Sequence, residues 1–146
     1  MLCNTIMGVL NTMNKKTFII AVICAVITFI ITDLIIHSMI LSPYYETVKQ
    51  LWRQNMGNIM WIMNIGQLIL ASAMVYIFSK NFENKGIFEG MRFGFLMSLL
   101  IIVPGSLGQY VVYPVPGKLA LLWIAFGITQ YIIVGIVISL IFKPNE

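Results

Sequence analysis

Apolar residues run through this chain in four long blocks, and the charged residues stand between them. Residues 17–32 contain no Asp, Glu, Lys or Arg, and the apolar run continues past Asp33 to Leu41. Residues 54–79, 93–117 and 119–142 are also free of charge. The blocks are continuous rather than alternating, so they read as helices and not as the strands of a barrel. Crossing a hydrocarbon layer of about 30 Å takes roughly 20 helical residues. Inside it, every backbone polar group must be satisfied within the chain. The pattern therefore predicts an all-α polytopic membrane protein. Four transmembrane helices, at about 17–40, 58–79, 88–113 and 119–142, form one bundle in a single transmembrane domain covering residues 1–146. Residues 1–14 are expected to be a flexible extension.

Composition points the same way. Of the 146 residues, 60% are hydrophobic and 10% charged, against about 25% charged in an ordinary soluble domain. That excludes intrinsic disorder, and a soluble globule of this size has too little interior for so much apolar side chain. The net charge of +4 is spread along the chain, without the aromatic and basic interleaving that binds nucleic acid. It reads as membrane-flanking charge instead. Lys15, Lys16, Lys80, Lys85, Arg92 and Lys143 fall on one side of the four-span topology, and Lys49, Arg53 and Lys118 on the other. The positive-inside rule then predicts that both termini are cytoplasmic.

The connections carry their own signals. After Ser42-Pro43, read as N-cap and first helical position, Tyr44, Tyr45, Val48, Leu51 and Trp52 recur at helical spacing, with Glu46, Lys49 and Arg53 opposite. This predicts a short interfacial amphipathic helix between spans 1 and 2. It would serve to position those spans or as a lid over an outward-facing cavity. Glu89 and Arg92 stand three apart at the start of span 3 and are expected to pair. Val103-Pro104-Gly105 interrupts span 3, either as a kink supported by neighbouring helices or as a broken helix at a binding site. Spans 2 and 4 share a weak pattern: Trp61, Gly66, Gln67 and Ile77-Phe78-Ser79-Lys80 against Trp123, Gly127, Gln130 and Ile141-Phe142-Lys143. If it is a true repeat, two parallel hairpins are related by an axis along the membrane normal.

Few residues can carry chemistry. Asp33 is the one acid deep in an apolar run, where a carboxylate must find a partner or water. His37, the only histidine, follows four positions later on the same helical face. The pair could relay a proton, contribute to a metal site or bind a small polar ligand. It could equally be structural, with Arg53 or Lys49 folding back onto Asp33. Asn64, Gln67, Gln109 and Gln130 are amides within spans and should point inward, as interhelical glue or as one outward-facing polar pocket with Asp33 and His37. Gly127, Tyr131, Gly135 and Ser139 form a stripe that permits close helix packing. Two cysteines and one histidine fall short of the four N/S ligands of a structural zinc site, so a Cys/His metal cluster is not expected, and no catalytic or nucleotide-binding motif is present. No cofactor is expected, and enzymatic activity is not indicated.

Glu89-Gly90-Met91-Arg92-Phe93-Gly94, then Val103-Pro104 and the turn at Tyr113-Pro114, resemble small bacterial four-helix integral membrane proteins of an uncharacterised, domain-of-unknown-function family. The resemblance implies a four-helix fold and a bacterial inner membrane, and it assigns no functional residue. The expected partners are the lipid bilayer and, because four spans are few for a transporter, further copies in a homodimer or larger assembly. Two functions stand open: a small-solute or proton-linked binding or transport element, and a structural or accessory membrane subunit with no ligand of its own.

Overall fold

A computed structural model describes residues 14–142. The expected N-terminal extension and Lys143 therefore lie outside the described residues, apart from Asn14, whose side chain accepts from the Lys16 amide and caps the first helix. Among the described residues the fold is helical, with no strand. Helix α1 (Lys15–Asp33) continues as a π-helical segment, Leu34–Ile40. Next come a short α2 (Ser42–Glu46), a 3₁₀ turn at Lys49–Leu51 and a one-turn α3 (Met56–Ile59). The long helices α4 (Trp61–Lys80), α5 (Ile87–Val112) and α6 (Gly117–Ile141) complete the fold. Four stretches are long and apolar enough to cross a membrane: Lys15–Ile40, Met56–Lys80, Ile87–Val112 and Gly117–Ile141. At 25 or 26 residues each, they are about 38 Å long at 1.5 Å per residue. Pro104 does not break α5, which runs unbroken through it.

Helix α6 packs along α5 on one side and α1 on the other, and α1 packs on α4. The core comprises Ala21, Ala25 and Phe29 of α1, Ala71, Met74 and Phe78 of α4, Met97 of α5, and Tyr131, Val134 and Ile138 of α6. Each set recurs at helical spacing, which is why one stripe per helix is enough to close it. Phe29 meets Tyr131 edge-on at 5.4 Å between ring centroids. At the end that carries Lys80, Lys85 and Arg92 (the basic end), Phe78 gathers Phe93 at 5.2 Å and Phe142 at 5.6 Å, tying α4 to α5 and to the end of α6.

The α5–α6 contact is backbone against backbone. A Cβ built on Gly90 would collide with the Gly135 carbonyl, one on Gly94 with the Tyr131 carbonyl, and one on Gly135 with the Gly90 carbonyl. The small-residue stripe of α6 thus has its complement in Gly90 and Gly94, which the sequence reading did not pair with it. Of the hairpins that a repeat would relate, α5–α6 is closed by these glycines, whereas the α1–α4 core uses larger side chains such as Phe29, Met74 and Phe78.

Two local expectations are corrected. Glu89 does not pair with Arg92. The buried Glu89 carboxylate accepts from the backbone amides of Glu83 at 2.6 Å and Lys85 at 2.8 Å, while Arg92 reaches Glu83 at 2.8 Å. The loop before α5 folds back over the helix start, with Asn84 and Gly86 at positive φ. Two pre-organised amides therefore compete better for Glu89 than a long exposed guanidinium does. Lys85 and Arg92 hold the exposed Glu83 carboxyl below its usual range by hydrogen bonding. Its small contribution is therefore complete above the ordinary value of 4.5 and is lost as pH falls through the lowered one. Converting Glu89 to Gln is expected to cost about 1–2 kcal/mol, since one charge-assisted acceptor becomes an amide donor facing an N–H. Thermal unfolding in nanodiscs and protease nicking within residues 81–86 read the effect.

The second correction concerns the segment between spans 1 and 2. It is not one helix, because α2 ends at Glu46 and a 3₁₀ turn follows. Leu41, not Ser42, occupies the N-cap position. Its apolar side faces protein: Val48 is buried with Val115 and Leu119, and Tyr44, Tyr45, Leu51, Trp52 and Trp123 pack around them. Lys118 lies over the Tyr44 ring at 5.2 Å. The segment is a strut joining the end of span 1 to the Pro114 turn and the start of α6.

Candidate functional site

Asp33 is the centre of the site. It ends the α-helical part of α1, where the bonding changes to a wider π-helical pattern, seen in the Leu41 amide donating to the Ile36 carbonyl at 2.8 Å. Such widened turns recur at functional positions. Both carboxylate oxygens are engaged. Gln130 Nε2 of α6 donates to Oδ1 at 2.7 Å, and Gln67 Nε2 of α4 donates to Oδ2. The same Gln130 nitrogen lies 2.8 Å from Thr32 Oγ1 and 3.4 Å from the Phe29 carbonyl. One carboxylate thus joins three helices. Its partners are neutral: among the described residues no Lys or Arg pairs with Asp33, and its one ion-pair contact is His37 Nε2 at 3.9 Å. Arg53 and Lys49, the alternatives raised by the sequence, do not reach it; Lys49 pairs with Glu46, and Arg53 forms no ion pair among the described residues.

His37 extends the network outward. Its Nδ1 lies 2.5 Å from the Tyr45 hydroxyl, and the two rings stack at 5.9 Å. The same hydroxyl accepts from the Trp123 indole at 2.9 Å. A phenol has one proton to give. While Trp123 donates to it, the Tyr45 hydroxyl can give that proton to Nδ1 or accept one from it, according to the imidazole tautomer, and in either case Nε2 is the nitrogen facing Asp33. Burial pushes the Tyr45 hydroxyl above its usual range, the Trp123 hydrogen bond opposes that, and the Asp33 charge adds to it. Tyr45 therefore stays protonated at ordinary pH.

The structure brings Asp33, His37, Gln67 and Gln130 together, and leaves out Asn64 and Gln109. Asn64 and Gln109 are exposed and make no side-chain hydrogen bond among the described residues. Tyr45, Trp123 and Thr32 belong to the network and were missed. Thr32 adjoins Asp33 in sequence and could have been noticed. Tyr45 and Trp123 read as membrane-interface anchors until the strut's docking is known.

The surroundings open toward the Pro114 end. Met60, the N-cap of α4, and Asn64, Gln67, Ala71, Met74 and Phe78 within it share one stripe. Ala71, Met74 and Phe78 are buried, Gln67 is half-buried, Asn64 is exposed and Met60 is 50% exposed. On α5, the stripe of Gly90, Gly94, Met97 and Ile101 continues as Gly105, Gly108 and Val112. Its first three members are buried, nothing lies within 4 Å of where a side chain would start at Gly105 or Gly108, and Val112 is 70% exposed. The inward stripes of α4 and α5 are packed in the basic half and bare in the other half. Asp33 and Gln67 sit where the packing ends.

Fold and site together define the class: a multi-pass, four-helix membrane protein with a polar network inside the bundle. In comparison with known proteins, no protein family, curated relative or solved structure matches the chain.

Proposed function

We propose that this chain is a proton-linked element that binds or moves a small solute, with its site at Asp33 and His37. One observation carries the reading: an intramembrane carboxylate held by two neutral amides, whose nearest cation-forming group is a histidine. A structural carboxylate at this depth is best served by a permanent cation. Asp33 has instead His37, a side chain that can take up or release a proton. The titratable groups of the network are Asp33 and His37 on span 1 and Tyr45 on the strut, with Tyr131 of α6 close enough to feel the Asp33 charge. Otherwise α4 and α6 bring only Gln67, Gln130 and Trp123 to it. The six-to-three distribution of Lys and Arg supports cytoplasmic termini and an outward-facing site. A bacterial inner membrane and a homodimer or larger assembly complete the proposal.

The competing reading, an accessory subunit without a ligand, is favoured by one observation: Gln67 and Gln130 occupy both oxygens of Asp33 and clasp three helices. Because His37 is the only histidine, ¹⁵N-imidazole NMR of the protein in nanodiscs separates the two. In the proton-linked case its titration midpoint shifts in Asp33→Asn, because the neighbouring charge is gone. An unchanged midpoint together with lowered thermal stability supports the accessory role and removes the proton-linked one.

A further inference from the structure

We infer that the bared faces of α4 and α5 bound a cleft that takes a lipophilic organic cation, its charge against Asp33 and its apolar body between the two helices. The inference deepens the outward-facing site just proposed and rests on it. In the basic half, α4 and α5 share one core and touch through Phe78 and Phe93. In the other half the same stripes are uncovered, while α1 and α6 remain packed behind them: Gly127, Gln130 and Tyr131 of α6 and Phe29 and Ile36 of α1 are all buried. We take these uncovered stripes to bound a wedge, closed by Phe78 and Phe93 at the basic end and reaching toward Asp33 and Gln67.

Three features select the occupant. The charge at the apex is negative, and no Lys or Arg among the described residues neutralises it. The carboxylate side chain is 29% exposed, so lone pairs remain beyond those taken by Gln67 and Gln130. The walls are apolar or small: Met60, Gly105, Gly108 and Val112, with Asn64 as the one amide. A hard metal ion needs six or more oxygens in a cage, and among the described residues no three His, Cys, Asp or Glu side chains gather. An ammonium or phosphonium with an apolar body needs one carboxylate and greasy walls, which this wedge supplies.

Tetraphenylphosphonium tests the proposal by equilibrium dialysis against the full chain in zwitterionic-lipid nanodiscs, with empty nanodiscs subtracted. Saturable one-site binding is expected, weakened about tenfold or more in Asp33→Asn, the loss of one charge-assisted contact. Gly108→Leu, whose Cβ would meet nothing within 4 Å and whose longer side chain would occupy the wedge, is expected to weaken it similarly. Gly66→Leu, in open space on the opposite face of α4, leaves it unchanged. Triphenylphosphine oxide, of similar shape and without net charge, should show no saturable component. Should Asp33→Asn fail to fold, Gly108→Leu against Gly66→Leu still decides. Equal binding by wild type and Asp33→Asn, or by Gly108→Leu and wild type, overturns the cation site. If the His37 titration still responds to Asp33→Asn in that case, the proton-linked reading survives without this ligand class.

Discussion

Replacing Gly94 with leucine is expected to abolish the folded bundle, at a cost of about 3 kcal/mol or more, the upper range for overpacking. The position has no room even for a methyl group: a Cβ there would overlap the Tyr131 carbonyl and crowd the Ile132 Cα, which are backbone atoms that cannot rotate aside. Relief requires α5 and α6 to separate. That would expose the seam of Gly90, Gly135 and Ser139 and strip partners from Tyr131, Val134 and Ile138 in the core. In a membrane, close van der Waals packing is a main force holding helices together, because lipid is as apolar as the side chains. Gly105→Ala is the matched control. It sits on the same helix with nothing within 4 Å and should be neutral or slightly stabilising, since alanine favours the helix by up to about 1 kcal/mol over glycine. Yield and thermal unfolding in detergent distinguish the two substitutions. Equal behaviour would mean that α5 and α6 do not meet along these glycines.

Gln130→Leu is expected to destabilise the protein by about 2 kcal/mol, and most of that loss should disappear when Asp33 is absent. Leucine is of similar volume to glutamine, so the change reports polar contacts rather than a cavity. Of the three acceptors that Nε2 serves, the Phe29 carbonyl lies within α1, where the helix itself supplies partners, and Thr32 already donates to the Thr28 carbonyl at 2.7 Å. Asp33 has no such substitute. Removing one partner of a charge in a low-dielectric place is costly, whereas replacing the whole set by apolar groups of similar shape can be nearly neutral. The triple variant Asp33→Leu, Gln67→Leu, Gln130→Leu is therefore expected to unfold close to the wild-type temperature. Thermal unfolding of the single, double and triple variants in nanodiscs gives the coupling, about 1–2 kcal/mol between Asp33 and Gln130 for a hydrogen bond to a charge. A triple variant much less stable than Gln130→Leu alone would show that the clasp contributes net stability, and the argument that Asp33 is kept for function would lose its footing.

The local pattern made part of the site readable. Asp33, His37, Gln67 and Gln130 stood out because each is polar where its neighbours are apolar, and lipid obliges such groups to turn inward. The same reasoning failed for Asn64 and Gln109. It assumed that every polar position in a span meets another helix, and Asn64 and Gln109 lie where the outer halves of α4 and α5 are exposed. Glu89 and Arg92 had helical spacing for a pair, yet the loop before α5 curls back and presents two amides, a geometry that no spacing rule contains. Tyr45, Val48 and Trp52 carried an amphipathic signature that lipid and protein satisfy equally. Only the position of Val115, Leu119 and Trp123 shows that the partner is protein.

What this sequence determined by itself was its solvent and its elements. Sixteen or more consecutive uncharged residues, four times over, cannot be hidden within 146 residues in water; they need a membrane, and a backbone in a membrane must be helical or closed. Which helix lies against which was decided only in three dimensions. Apolar side chains in lipid are almost indifferent to whether they face a neighbour or a hydrocarbon tail, so hydrophobic periodicity carries little information about pairing. Steric fit and a few hydrogen bonds decide it instead. The glycines of α5 and α6 match at backbone distance, and one carboxylate collects amides from two other helices, both being matters of shape and direction that appear only once the chain has folded.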